Sequence, residues 1–265
     1  MANPIFQRLS LLIGDRAAEA VEKSRVIVFG IGGVGSWCAE ALVRSGVGVI
    51  TLVDSDVVNV SDFNRQVQAL GGNMGRKKTE ALKERLNEIN PACKLVSFPH
   101  FFSKENAGLF GISEADYVID AIDTLNSKLD LIETAMASER RLFSSMGMAW
   151  KLDPTQIKTA DIWETSVCPL ARFVRHGLRK RGFSGHFTVV YSTEKPNEGG
   201  KGCFGGYEGD AEKSGTGGKK RAPLGSVVQV TAAAGMVLAS LVIRDVCGKF
   251  SDSGCDNSGK AGGAS

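Results

Sequence analysis

Short apolar runs alternate with longer stretches in which apolar residues return every three or four positions, and the alternation continues through the first 150 residues. A short run bounded by turn residues is a buried strand. The longer spacing is that of a helix packed by one face. Strands are predicted at 25–30, 49–54, 94–98, 116–123 and 142–146. Helices are predicted at 35–45, 75–90, 103–110 and 126–140. A helical lead-in covers 5–24, where Ile5, Phe6, Leu9, Leu12 and Ile13 share a face and Gly14 interrupts. Strands separated by helices call for a parallel sheet covered on both sides, so the expected fold is α/β, a Rossmann-like doubly wound sheet.

Beyond residue 150 the pattern changes. Residues 151–162 read as strand–turn–strand around Asp153-Pro154, and a helix starts at Pro169. A strand is expected at 187–191, and a Gly/Lys/Glu/Ser-rich loop at 195–222. The apolar stretch 227–243 is roughly 17 residues, the lower limit for crossing a bilayer. Gln229, Thr231 and Ser240 interrupt it and Arg244 and Asp245 follow, so a buried core or interface helix is expected rather than a membrane segment. The expected division is a nucleotide-binding part over 1–150, a continuation with a basic and an apolar helix over 151–248, and a disordered tail over 249–265. No solenoid-type repeat is present.

Composition narrows the classes. The chain has 265 residues, 43% apolar and 23% charged, as in ordinary soluble proteins. A net charge of +3 means that any nucleic acid is gripped by a local patch. The six cysteines form no C-x-x-C pair, which removes zinc-ribbon ligation. Cys38 and Cys93 fall on apolar-patterned elements and are expected in the core, while Cys168 and Cys203 look exposed. With no signal-peptide pattern and reduced thiols, a cytoplasmic setting is expected.

The candidate chemistry begins where the first strand runs into Gly30-x-Gly32-Gly33-x-Gly35. Glycines let backbone approach a phosphate closely, and the following helix N-terminus carries partial positive charge. Dinucleotide oxidoreductases and nucleotide-activating enzymes both use such a turn. Asp54 ends the second strand, where a carboxylate either binds ribose hydroxyls or caps a turn. Asp56 opens a loop of about 20 residues, long for an α/β connection. The loop carries Asn59, Asn64, Arg65 and Gln66. A guanidinium there suits phosphate oxygens in a forked geometry. Lys77 and Lys78 start the next helix, where a cation is unfavourable unless an anion is near. Asp123 is placed at the carboxyl edge of the sheet as a candidate Mg²⁺ ligand, with Asp120 structural. Residues 165–186 contain five Lys/Arg and no acid, with Arg172, Arg175 and Arg179 on one helical face and Lys180 beside them. That stripe suits nucleic-acid phosphates, or is a solvated face. Lys219-Lys220-Arg221 could extend it.

Taken together, the glycine turn, Asp54-x-Asp56, Asn64-Arg65-Gln66, Lys78 and Asp120-x-x-Asp123 resemble the E1-like adenylating superfamily of the ThiF type. Within it, Lys151-Leu152-Asp153-Pro154-Thr155-Gln156-Ile157, Pro169-Leu170-Ala171-Arg172 and Tyr191-Ser192-Thr193-Glu194-Lys195-Pro196 are similar to the tRNA threonylcarbamoyladenosine dehydratases. The resemblance implies ATP and Mg²⁺ as cofactors and ATP-dependent cyclisation of threonylcarbamoyladenosine at position 37 of tRNA through an acyl-adenylate. It implies Asp54 on ribose, Asp56, Asn64 and Gln66 in the nucleotide site, Arg65 and Lys78 on the triphosphate and Asp123 on Mg²⁺. It also implies Arg8 reaching the ATP of a second copy in a homodimer, tRNA on the basic helix, and room for a sulfur-transfer protein as partner. The alternative is activation of a ubiquitin-like or sulfur-carrier protein's C-terminus. Thr124-Leu125-Asn126 after Asp123, in place of Asp-Asn, and the missing C-x-x-C pairs speak against it. An oxidoreductase would leave Arg65 and Lys78 without a role.

Overall fold

The computed structural model describes residues 4–197 and 224–251. Seven strands form one sheet: β1 (Arg25–Phe29), β2 (Val49–Val53), β3 (Lys94–Phe98), β4 (Tyr117–Asp120), β5 (Arg141–Ser145), β6 (Ile157–Asp161) and β7 (Thr188–Ser192). Their order is β3-β2-β1-β4-β5-β7-β6. Each neighbouring pair is parallel except β6 and β7, which run antiparallel at the edge. The chain winds outward from β1 in both directions, so a crevice opens beyond the carboxyl ends of β1 and β4, where such folds bind ligands.

Successive strand residues point to opposite faces, which divides the core in two. Val26, Val28, Ile50, Leu52 and Ile119 face α2 (Asp15–Lys23), α3 (Gly35–Arg44), α4 (Lys78–Ile89) and α7 (Val228–Ser251). Ile27, Phe29, Val53, Val118, Leu142 and Val189 face α5 (Leu125–Ala137) and α6 (Pro169–Lys180). Cys38 and Cys93 are buried, as their patterning required. The helix α7 is long and apolar enough to cross a membrane. Here one of its faces is core: Val230, Ala234, Leu238 and Val242 are buried. Gly235 lets it press on α3, since a Cβ there would lie 2.5 Å from the Val34 carbonyl oxygen. Its last turns are tied to the sheet by Tyr117, whose hydroxyl donates to Asp245 (2.9 Å), and by the Arg141–Asp245 ion pair (2.9 Å). The helix therefore continues past Gly248 to Ser251.

The first three residues of the tail expected over 249–265 are thus the end of α7, and three further expectations are corrected. Residues 151–162 hold one strand, β6, not two. The Leu152 and Asp153 amides donate to the Glu194 carboxylate, at 2.9 Å each, instead of to a neighbouring strand. The strand β4 stops at Asp120, three residues early, because the Asp120 carboxylate accepts the Ile122 amide (3.0 Å) and turns the chain out of the sheet. Cys168 is buried, not exposed, with its Sγ 3.8 Å from the Gly147 carbonyl oxygen. The loop expected at 195–222, from residue 198 on, lies outside the described residues, as do Cys203, Lys219-Lys220-Arg221 and the tail from residue 252.

Candidate active site

The crevice floor is the turn between β1 and α3. Gly30 has φ +79°, and a Cβ on it would meet the Ala121 carbonyl oxygen at 2.7 Å. A Cβ on Gly35 would meet the Gly30 carbonyl oxygen at 1.9 Å. These two glycines let backbone pack directly on backbone. Gly33 lies under the Arg65 side chain, and a Cβ on it would lie 3.1 Å from Arg65 Cγ. At Gly32 the nearest such atom is Gln66 Nε2 at 3.9 Å, so an anion can approach the backbone there.

Asp54 follows the end of β2. One carboxylate oxygen accepts the Ile31 amide (2.9 Å) and the other accepts the Asp56 amide (2.9 Å). The residue is thus a cap for the glycine turn, and each oxygen keeps a lone pair for a hydroxyl donor. Burial pushes its carboxyl above the usual range, against the pull of Lys78 and the two amides.

The long connection between β2 and α4 folds back onto this turn. Lys78 is buried, and its ammonium lies 3.0 Å from Asp56 and 3.8 Å from Asp62. Asp62 also accepts from Gln66 Nε2 (2.8 Å) and lies 3.6 Å from the Arg65 guanidinium. Arg65 donates to the Ser61 carbonyl (2.6 Å) and to Asn64 Oδ1 (3.2 Å), and its own carbonyl accepts the Trp37 indole N–H (2.9 Å). Asn64 Nδ2 donates to the Ser226 carbonyl just before α7 (2.8 Å). Asp54, Asp56, Asn64, Arg65, Gln66 and Lys78, dispersed over two dozen positions, therefore meet around one turn. Of the two lysines considered for phosphate, Lys77 is exposed and donates to the Ser55 carbonyl. Sequence reasoning missed Asp62, on which Lys78, Gln66 and Arg65 converge. Its spacing three and four residues before Arg65 and Gln66 was the available signal. It also missed Gln68, buried, with Nε2 on the Ile31 carbonyl (2.9 Å).

Asp120 and Asp123 have opposite surroundings. Asp120 is fully buried and binds Lys128 (2.7 Å) and Ser144 (2.6 Å). Asp123 is exposed, just past β4, and accepts from the Thr124 hydroxyl at 3.4 Å. No group of three or more His, Cys, Asp or Glu is arranged to hold a metal ion by itself among the described residues. A single exposed carboxylate, two residues after the Ala121 that packs on the glycine turn, nevertheless fits Mg²⁺, which takes one or two carboxylates and completes its shell with substrate phosphates and water. Arg8 is not brought to this turn by a described contact. It is exposed on α1 (Gln7–Ile13), a helix with no buried residue, alongside the exposed Leu11 and Leu12.

On α6, Leu170, Ala171, Val174 and Leu178 are buried. Arg172 lies 5.0 Å over the Phe173 ring and Arg179 lies 5.2 Å over the Trp163 ring. Arg175 is half-buried and donates to the Thr165 hydroxyl, and Lys180 is exposed. None of these four forms an ion pair with a described residue, whereas Arg181 binds Asp130 (2.7 Å) and Glu133 (3.0 Å). The two core thiols are not poised for attack. Burial raises the Cys38 thiol strongly, and Cys93 is pushed up to about 11.

The chain matches the ThiF family over residues 6–260. It is 43% identical over 191 residues to the tRNA threonylcarbamoyladenosine dehydratase of Bacillus subtilis, covering 72% of this chain and 75% of that one. It is 35% identical over 263 residues to the enzyme of the same name from Escherichia coli, covering 94% and 96%. Its structure resembles that of the E. coli dehydratase TcdA in complex with ATP, with TM-score 0.82, 32% identity, and coverage of 96% of this chain and all of the other.

Proposed function

The chain belongs to the ThiF family, among its tRNA threonylcarbamoyladenosine dehydratases, and from that premise we propose that it cyclises N6-threonylcarbamoyladenosine at position 37 of tRNA, with ATP, through an acyl-adenylate. The observation that carries the reading is the meeting of Asp54, Arg65 and Lys78 around an open glycine turn, in a chain that matches an ATP-bound dehydratase along nearly its whole length.

A carboxylate resists substitution because its leaving group would be oxide. Attack of the threonylcarbamoyl carboxylate on the α-phosphate of ATP forms the acyl–phosphate bond and releases pyrophosphate. The substrate's own nitrogen or oxygen then attacks the activated carbonyl, closes the ring and expels AMP, with net loss of water. This second step is intramolecular, so proximity replaces a protein nucleophile. The chain's contribution is electrostatic. Asp54 binds the ribose, with Asp56, Asn64 and Gln66 shaping the nucleotide site. Arg65 and Lys78 take phosphate oxygens as charge builds at the α-phosphate, already oriented by Asp62 and Asp56. Asp123 would hold Mg²⁺, which would supply further neutralisation of the phosphates.

The unneutralised stripe of Arg172, Arg175, Arg179 and Lys180 is the tRNA surface, since a row of cations without acids suits a polyanion. The exposed apolar side chains of α1 support a homodimer in which Arg8 reaches the other copy's ATP. The reading places the enzyme in the cytoplasm and admits a sulfur-transfer protein as a further partner. Mass spectrometry of tRNA nucleosides after incubation with ATP and Mg²⁺ tests it. The expected result is loss of one water from the hypermodified adenosine. An unchanged nucleoside, with adenylation of a carrier protein instead, overturns it.

A further inference from the structure

The loop 121–124 carries Asp123 past the glycine turn, and its anchor is one residue earlier, in the sheet. Asp120 Oδ1 accepts the Ile122 amide (3.0 Å), which fixes the chain's exit from β4. Asp120 Oδ2 accepts both the Lys128 ammonium (2.7 Å) and the Ser144 hydroxyl (2.6 Å). Lys128 and Asp120 are each wholly buried. Lys128 comes from α5, just after the loop, and Ser144 from the neighbouring β5. Ala121, between Asp120 and Ile122, is the residue whose carbonyl closes on Gly30 and whose methyl closes on Gly35.

A desolvated ion pair is a poor device for stability, because apolar residues of similar volume in its place often leave stability unchanged or raise it. Direction is what such a pair supplies. Two short bonds to one oxygen set the carboxylate plane, and that plane sets where the second oxygen meets Ile122. We propose that Lys128 is a positioning residue: through Asp120, with Ser144, it holds the 121–124 loop against the glycine turn and so places Asp123 for its work on the nucleotide. The inference rests on the role given to Asp123 above.

The test compares the full-length chain with Lys128→Met. Amide hydrogen exchange at Ile122 reads the loop directly, without ATP or metal. The half-saturating Mg²⁺ concentration in AMP formation reads Asp123. Ile122 exchange is expected to accelerate and the Mg²⁺ requirement to rise by roughly 10- to 100-fold, the usual scale for losing a group that orients a ligand. Parental exchange at Ile122, or a parental Mg²⁺ requirement, overturns the proposal. If Lys128→Met does not fold, Asp120→Asn combined with Lys128→Met removes both charges and the same two readings decide. Asp123→Ala separates the two levels. Parental AMP formation by that variant sinks the functional reading itself. Its inactivity beside a fully active Lys128→Met sinks only the positioning role.

Discussion

The cations around the glycine turn and those on α6 are held in different ways. Lys78 and Arg65 each lean on carboxylates, and Asp62 serves both. Arg172 and Arg179 lie on aromatic rings, and Arg175 on a hydroxyl. A carboxylate partner fixes a cation in one place and lowers the cost of keeping it there before a ligand arrives. That suits a compact anion whose charge grows at one atom. A ring supports a guanidinium without neutralising it, and leaves its charge to act on a long polyanion in solution. On the proposed reading, one chain thus carries preorganised charge for chemistry and exposed charge for capture.

The sharpest way to break that contrast is to remove charge from the crevice. Arg65→Ala and Asp123→Ala are expected to lower AMP formation by about 10²–10³-fold, the scale for losing one preorganised charge-stabilising group, with unchanged circular dichroism. Parental AMP release from both removes the assignment. Next in size is the floor itself. The Gly35→Ala methyl collides with the Gly30 carbonyl, and overpacking of this kind costs about 1–3 kcal/mol, seen as a lowered Tm. Gly71→Ala, with nothing within 4 Å, is expected to leave Tm in place. If both glycines tolerate alanine equally, the turn is not packed as described.

On α6 the expected effect is smaller and differs in kind. Charge reversal at Arg172 and Arg175 weakens tRNA binding and reduces the slope of log K against log salt by about 1 for each phosphate that is no longer neutralised. AMP formation at saturating tRNA persists. A parental slope makes the helix a solvated face. Smallest is a pH effect at Lys151, which joins the ends of β5 and β7 by donating to the Gly147 (3.0 Å) and Ser192 (3.2 Å) carbonyls. Burial lowers its pKa, so the folded chain releases this proton at a pH where the unfolded chain still binds it. Between that lowered value and about 10.4, the group makes stability rise with pH. Urea unfolding of the parent is expected to show this rise and Lys151→Met to lack it. Parallel pH profiles contradict the buried ammonium.

Much of this was legible along the chain. Strands such as 25–30 were readable because an apolar run between turn residues has few other uses. The dispersed residues were readable as candidates because each has a chemical type that phosphate or ribose requires. Lys128 was not readable. A lysine inside a helix pattern looks solvated, and only Asp120 and Ser144, brought in by two strands, make its burial tolerable. The same blindness placed Asp123 at a strand end that Asp120 had already turned away, and left Cys168 on the surface.

The sequence by itself determined the alternation of strands and helices, the glycine turn and the inventory of cations and acids, because periodicity and residue chemistry are local properties. The tertiary structure decided which carboxylate is inside and which outside, which lysine meets Asp62, and which face of α7 is core. Those outcomes depend on partners dozens of residues away, and a polar group's burial is favourable only once its partners have arrived.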